Sequence, residues 1–222
     1  MTEDHRQRYY ASEQYLLPAD KTEIARLDLQ HRVFTKAFEN RLSLAPLKLQ
    51  SGDRVLESAA GTGIWAPEFS EENSKNGIIL DIEYIDISDK QFLRKPPPNI
   101  HFSLRSAIDL PAEWNETFSY VHQRLIIVAL NDSLWRKAIS EFFRVLLPGG
   151  WLEIVEIDTN CYRDSYVGPY TNKLQALTLS MFAEKGMLVD LAPYFPPLLK
   201  EIGFVDVQFE VRRARIGRSG ES

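Results

Sequence analysis

The residues best suited to chemistry lie in one stretch, Val55-Leu56-Glu57-Ser58-Ala59-Ala60-Gly61-Thr62-Gly63-Ile64-Trp65. An apolar strand pattern runs into a loop of small residues, and the loop turns into a helical pattern. Glycines let the main chain take unusual angles and let a ligand approach it closely. The following helix presents unpaired N–H groups at its start, where a carboxylate or phosphate can bind. Gly61-Thr62-Gly63-Ile64-Trp65-Ala66 satisfies the dinucleotide pattern G-x-G-x-x-G/A. Glu57, however, places a carboxylate at the end of the strand, beside the loop. It would repel a pyrophosphate but could receive a cationic amino group, such as that of S-adenosylmethionine (SAM). Asp86, at the end of a second strand pattern, can accept hydrogen bonds from both hydroxyls of a ribose. Nicotinamide sites use an acid there too, so Asp86 alone does not choose between the cofactors.

The elements that position these residues follow from short apolar runs alternating with helical patterns, the signature of a parallel α/β sheet. Strands are expected at Arg54 to Ser58, within Ile78 to Ile87, at Ile100 to Leu104, within Tyr120 to Leu130, at Trp151 to Ile157 and at Val205 to Val211. The clearest helix runs from about Ser133 to Leu147, capped by Asn131 or Asp132 and stopped by Pro148-Gly149. Glu23 to Glu39 has helical periodicity as well, preceded by an arm carrying Tyr9, Tyr10 and Tyr15. Pro96-Pro97-Pro98, Pro148-Gly149-Gly150 and Pro196-Pro197 punctuate the chain. One domain is expected over 1–222: a helical arm or lid at 1–45, a cofactor-binding core at 46–211 and a basic polar tail at 212–222.

With 222 residues, 44% hydrophobic and 26% charged, the chain has the balance of an ordinary soluble globular domain. A net charge of −5 argues against broad binding to nucleic acid or to an anionic membrane face. The longest wholly apolar run, Leu125 to Leu130, is far too short to span a bilayer. Cys161 is the only cysteine, so neither an internal disulfide nor a cysteine-based zinc cluster can form, and no metal site is expected. The polar, acidic start shows no signal peptide. The expected compartment is the cytoplasm, with the nucleus left open.

Glu57-Ser58-Ala59-Ala60-Gly61-Thr62-Gly63 resembles the first motif of class I, seven-strand SAM-dependent methyltransferases, D/E-x-G-x-G-x-G. Phe142-Phe143-Arg144-Val145-Leu146-Leu147-Pro148-Gly149-Gly150-Trp151-Leu152 resembles that family's helix-to-fifth-strand junction, RVLKPGG. A narrower likeness joins the chain to fungal LaeA-like methyltransferase-domain proteins. It rests on Leu17-Pro18-Ala19-Asp20, Arg26-Leu27-Asp28-Leu29-Gln30-His31, Leu44-Ala45-Pro46, Gly63-Ile64-Trp65-Ala66 and Gly149-Gly150-Trp151-Leu152-Glu153. The resemblance covers roughly residues 15 to 210. It implies a Rossmann-like, doubly wound, mostly parallel sheet. It also implies methyl transfer from SAM, with S-adenosylhomocysteine as product, to a small-molecule acceptor in secondary metabolism.

The resemblance further implies that Glu57 lies near the methionine amino group, with Ala59, Gly61 and Gly63 along the methionine and ribose side. Asp86 would hold the ribose, and Ile87 would lie against the adenine. Ser106 and Ala107 follow the third strand where the adenine amino group is met. Gln123 and Arg124 fall near the sulfonium and the acceptor. His31, His122 and Arg124 are the candidates for a catalytic group, although a lone histidine is more often plain hydrogen-bonded structure. The aromatic arm and a loop from Cys161 to Tyr170 would cover the acceptor.

Four departures from the family pattern stand out. Ala59 replaces the first glycine, and a positive φ there would cost about 1–2 kcal/mol. Pro67 is tolerable only in the first turn of its helix. Ser106 stands where an acid is common. No strand candidate follows Val211, so an incomplete sheet edge is expected, with the sixth strand pairing to the fifth or lying loose. Such an edge could pair with a second copy or a protein partner. These departures support an alternative, a non-catalytic partner or regulatory protein with weak or no SAM binding. A nicotinamide-dependent oxidoreductase is a third reading, disfavoured by Glu57.

Overall fold

A computed structural model describes residues 21–92, 96–158 and 168–213. The elements in chain order are α1 (Lys21–Ala37), β1 (Arg54–Ser58), α2 (Trp65–Ser74), β2 (Asp81–Asp86), β3 (Ile100–Leu104), β4 (Phe118–Arg124), α3 (Asp132–Val145), β5 (Leu146–Val155), α4 (Gly168–Glu184) and α5 (Leu191–Ile202). The strands form one sheet in the order β3-β2-β1-β4-β5. Every pairing is parallel. A parallel sheet is buried on both faces, which explains the near-continuous apolar runs of β1 and β4. On one face, Val55, Ile82, Tyr84 and Tyr120 pack with Trp65 and Phe69 of α2. On the other, Leu56, Ile85 and Val121 pack with α3 and with Leu198 of α5.

α3 forms as its amphipathic pattern requires: Trp135, Ala138, Ile139, Phe142 and Val145 are buried. Asn131 Oδ1 caps it by accepting from the Leu134 N–H at 3.0 Å. Pro67 is the third residue of α2 and therefore lies in its first turn. β4 ends at Arg124 because Leu125 turns to φ 60°. The apolar run beyond it is a buried turn, tied by the Ile126 and Ile127 N–H groups to the Glu156 carboxylate at 2.7 and 3.3 Å.

Several expectations need correction. β5 starts at Leu146, so Pro148-Gly149-Gly150 lies inside it, as a register shift opposite Phe118 and Tyr120. Pro196-Pro197 lies within α5 rather than between elements. The bonds these prolines cannot donate are offset by packing of α5 on α3, including an edge contact of Trp135 with Phe195. Tyr170 belongs to α4 and not to a loop, while Cys161 lies outside the described residues. Val205 to Val211 is not a strand: Val205, Phe209 and Val211 are 81%, 64% and 60% exposed, and no ladder holds them. The segment lies loose, kinked by Asp206 at φ 52°, and is anchored by Arg212 to Glu39 at the end of α1, at 2.5 Å. Among the described residues β5 is therefore an open edge. No helix there is long and apolar enough to cross a membrane.

The link from α1 to β1 is fixed by Glu153 on β5. Its Oε2 accepts from Ser43 Oγ (2.9 Å), the Leu44 N–H (2.9 Å) and the Ala45 N–H (2.7 Å). Trp65 Nε1 donates to the Leu42 carbonyl at 2.8 Å. These bonds hold α1 over the carboxyl ends of the strands. Substituting Glu153→Ala strands three donors and should cost about 2–3 kcal/mol in urea unfolding. Exchange protection of the Leu44 and Ala45 amides should fall first; unchanged protection would contradict this account.

Candidate functional site

In the order β3-β2-β1-β4-β5 the chain reverses direction of winding between β1 and β4, and ligands of such sheets bind outside the carboxyl ends there. Glu57 pairs in register with His122, and Ser58 with Gln123. Successive strand residues point to opposite faces. Glu57, His122 and Arg124 therefore share the face of α2, while Ser58 and Gln123 share that of α3. Gln123 is fully buried, with Oε1 unpartnered, and lies across the sheet from Glu57.

The loop after β1 is held in a left-handed path. Ala59, Gly61 and Gly63 have φ of 52°, 59° and 68°. A Cβ on Gly63 would stand 2.9 Å from the Tyr84 ring, so close packing of the loop on β2 demands glycine there. Leu27 of α1 closes over Gly61. The Gly61 N–H donates to Asp86 Oδ2 at 2.9 Å, and the Ser88 N–H to Oδ1 at 3.2 Å. Asp86 thus ties the loop to β2, and a carboxylate has acceptor capacity beyond these bonds. Burial raises its pKa, opposed by the N–H groups of Gly61, Ser88 and Ile87.

Glu57 is buried, and its Oε2 has no hydrogen-bond partner. Burial pushes its carboxyl up to about 8, against the pull of Arg124 and of the Ala66 N–H. Ile87 and Leu104 stand exposed at the ends of β2 and β3. Ser106 follows β3 and is bridged to Asp109, with Ala107 in the turn between them.

The three candidate catalytic residues are brought together. Arg124 Nη2 donates to His31 Nδ1 at 2.8 Å, and the other ring nitrogen, Nε2, lies 2.7 Å from Glu68 Oε2. A guanidinium cannot accept, so Nδ1 is the acceptor and Nε2–H faces the carboxylate. Burial and Arg124 lower the His31 pKa, keeping the ring neutral. Both its nitrogens are engaged, which makes His31 a clamp between α1, α2 and β4. His122 stacks on Trp65, centroids 4.0 Å apart, and burial lowers its pKa well below the ordinary value. Glu68 was not singled out from the sequence, and Leu27 and Leu104 figured there only as members of a motif and of a strand. The spacing of Glu68 after the glycine loop carried no signal of a partner on α1.

Known proteins agree with this architecture. A family model described as "Methyltransferase domain" matches residues 29–208. Methyltransferase pytC of Aspergillus terreus is 30% identical over 90% of this chain and 61% of its own length. The secondary metabolism regulator laeA of Gibberella zeae is 27% identical over 94% of this chain and 67% of its own. The chain thus spans less than two thirds of the pytC protein. Among solved structures, the [4+2]-cyclase SpnF has a TM-score of 0.52 and 22% identity over 78% of this chain and 56% of that one.

Two outcomes test the loop and its acid. Ala59→Gly should raise stability by about 0.5–1 kcal/mol, because relief of the left-handed strain exceeds the added chain entropy; a lower melting temperature would refute the strain. Glu57 holds a proton in the folded state that the unfolded chain releases above about pH 4.5. Its contribution to stability should therefore decline as pH rises from about 5 to 8. Melting curves of Glu57→Gln should lack that decline, and parallel pH profiles for the two proteins would argue against it.

Proposed function

Because the chain belongs to the methyltransferase-domain family, we propose that it binds SAM across the β1–β4 crevice and transfers its methyl group to a small molecule of secondary metabolism. The observation that carries this reading is the unpartnered Oε2 of Glu57. A buried acceptor without a donor fits the ammonium of a methionine end. Meeting that cation would also lower the raised Glu57 pKa and complete its hydrogen bonding. Asp86 retains lone pairs for ribose hydroxyls, and exposed Ile87 and Leu104 offer an apolar lip for a purine. A bound sulfonium supplies an already activated methyl group for in-line displacement.

The residues then orient and enclose. Leu27 and the His31 clamp hold α1 over the crevice, which excludes water from it. His122, its pKa lowered well below the ordinary value by burial, packs on Trp65 on the same face of the sheet as Glu57. The fold alone does not fix the chemistry, so the reading stands on these side chains.

Calorimetric titration with S-adenosylhomocysteine should give micromolar affinity. Asp86→Ala, checked for cooperative unfolding, should weaken it about ten- to a hundredfold. A folded wild-type chain that binds neither S-adenosylhomocysteine nor SAM would overturn the proposal.

A further inference from the structure

α1 lies over the crevice with little apolar packing of its own. Among its described residues the buried ones are polar, Glu23 and His31, while Ile24, Leu27, Val33 and Phe34 are half-buried. Glu23 is bonded within the helix to Arg26, and His31 reaches out of it. The carboxyl-terminal end of the helix is tied down by Arg212 on Glu39, and the link beyond it by Glu153 and Trp65. Between the two, Glu39 and Asn40 turn left-handed at φ 58° and 61°, a break at which α1 can pivot. His31 then holds the middle of the helix from both sides. Its Nδ1 accepts from Arg124 Nη2 at 2.8 Å, and its Nε2–H donates to Glu68 Oε2 at 2.7 Å. Only one tautomer serves both bonds. Arg124 supplies donors alone, and the Glu68 carboxylate supplies the acceptor that keeps the proton on Nε2. A second proton, on Nδ1, would set donor against donor and cation against cation.

We propose that Glu68 is a positioning residue that fixes the His31 tautomer required by Arg124, and that uptake of a proton by His31 releases α1 from the strands and opens the crevice. The latch stands on the free chain, whereas the ligand beneath it rests on the methyl-transfer reading. The groups that act on the ring are Arg124 and His122 of β4, Glu68 of α2 and Asp28 of the preceding turn of α1. Glu68 and Asp28 favour the imidazolium; burial and Arg124 oppose it and prevail, so the closed helix holds a neutral ring. Once released into water, the imidazole regains its ordinary affinity for protons, near pH 6.5. The open form therefore binds the proton more tightly than the closed one. Opening should increase as pH falls below that value, by up to about tenfold per pH unit for a single proton.

The test is hydrogen exchange on the full chain, read as protection factors so that the intrinsic pH dependence of exchange divides out. Between about pH 7 and pH 5, wild-type α1 should lose about tenfold of its protection while α3 keeps its own. His31→Gln offers an acceptor and a donor but takes up no proton, and it should abolish the loss. At neutral pH Glu68→Ala should lower the protection of α1 about tenfold, and Glu68→Gln, which keeps an acceptor, should restore most of it. In acid, Glu68→Gln should lose more protection than the wild type, because the carboxylate that favours the imidazolium is gone. If His31→Gln does not fold, the two Glu68 variants carry the comparison. A flat wild-type profile, an acid loss that persists in His31→Gln, or unchanged protection in Glu68→Ala overturns the proposal. So does a loss shared equally by α3, which would be global unfolding. Saturation with S-adenosylhomocysteine should raise the protection of α1 in acid. A chain that fails to bind it overturns the methyl-transfer reading alone, because the exchange profile is read on the free chain.

Discussion

The parallel pairing of β1 with β4 is the constraint on which the rest of the molecule depends. It sets Glu57 beside His122 and brings the loop at Ala59–Gly63 against the end of the strand that carries Arg124. Each strand places side chains alternately on two faces, so a slip of one residue would send Glu57 to the α3 face and empty the crevice of its acid. Both faces are buried, and a slip would also bury Ser58 where Glu57 now sits and drive Leu56 out of its cluster. The hydrophobic core thus enforces the register that the site requires.

Around that pairing the charged groups are largely withdrawn into the protein. Glu57, Arg124, His31 and Glu68 form a sequence of acid, base, neutral ring and acid across three elements and the strand between them. Only the last of these groups is well exposed. The neutral ring is what allows the guanidinium and the α1 helix to meet without a second cation. Glu156, just past β5, repeats the theme of a buried carboxyl, raised to about 8 by burial and committed to backbone N–H groups of the turn after β4. Two buried acids therefore shape the loops at the carboxyl end of the sheet, one satisfied by the main chain and one with an oxygen to spare.

The local parts of this arrangement were legible in the sequence. The glycine loop announces itself by residue type, and the positive φ of Ala59 vindicates reading it as a strained substitute for glycine. α3 was readable because its apolar residues follow one period and its cap is adjacent. Val205 to Val211 was misread because alternation reports an amphipathic segment and carries no information about a neighbouring strand. α5 was hidden by prolines that usually break helices, and its packing on α3 outweighs them. α4 was hidden because its apolar residues, Leu174 and Leu177 among them, are largely exposed rather than gathered on a buried stripe. The union of His31 with Arg124 had no local signature at all.

That union has a kinetic side. His31 and Arg124 are 93 residues apart in the chain, and Ser43 is 110 from Glu153. Contacts of such separation close large loops, and their entropic cost must be met before they stabilise anything. The roof of the crevice is therefore built from contacts that reach across much of the chain, although α1 is the earliest described element in it. No local segment could close the crevice alone.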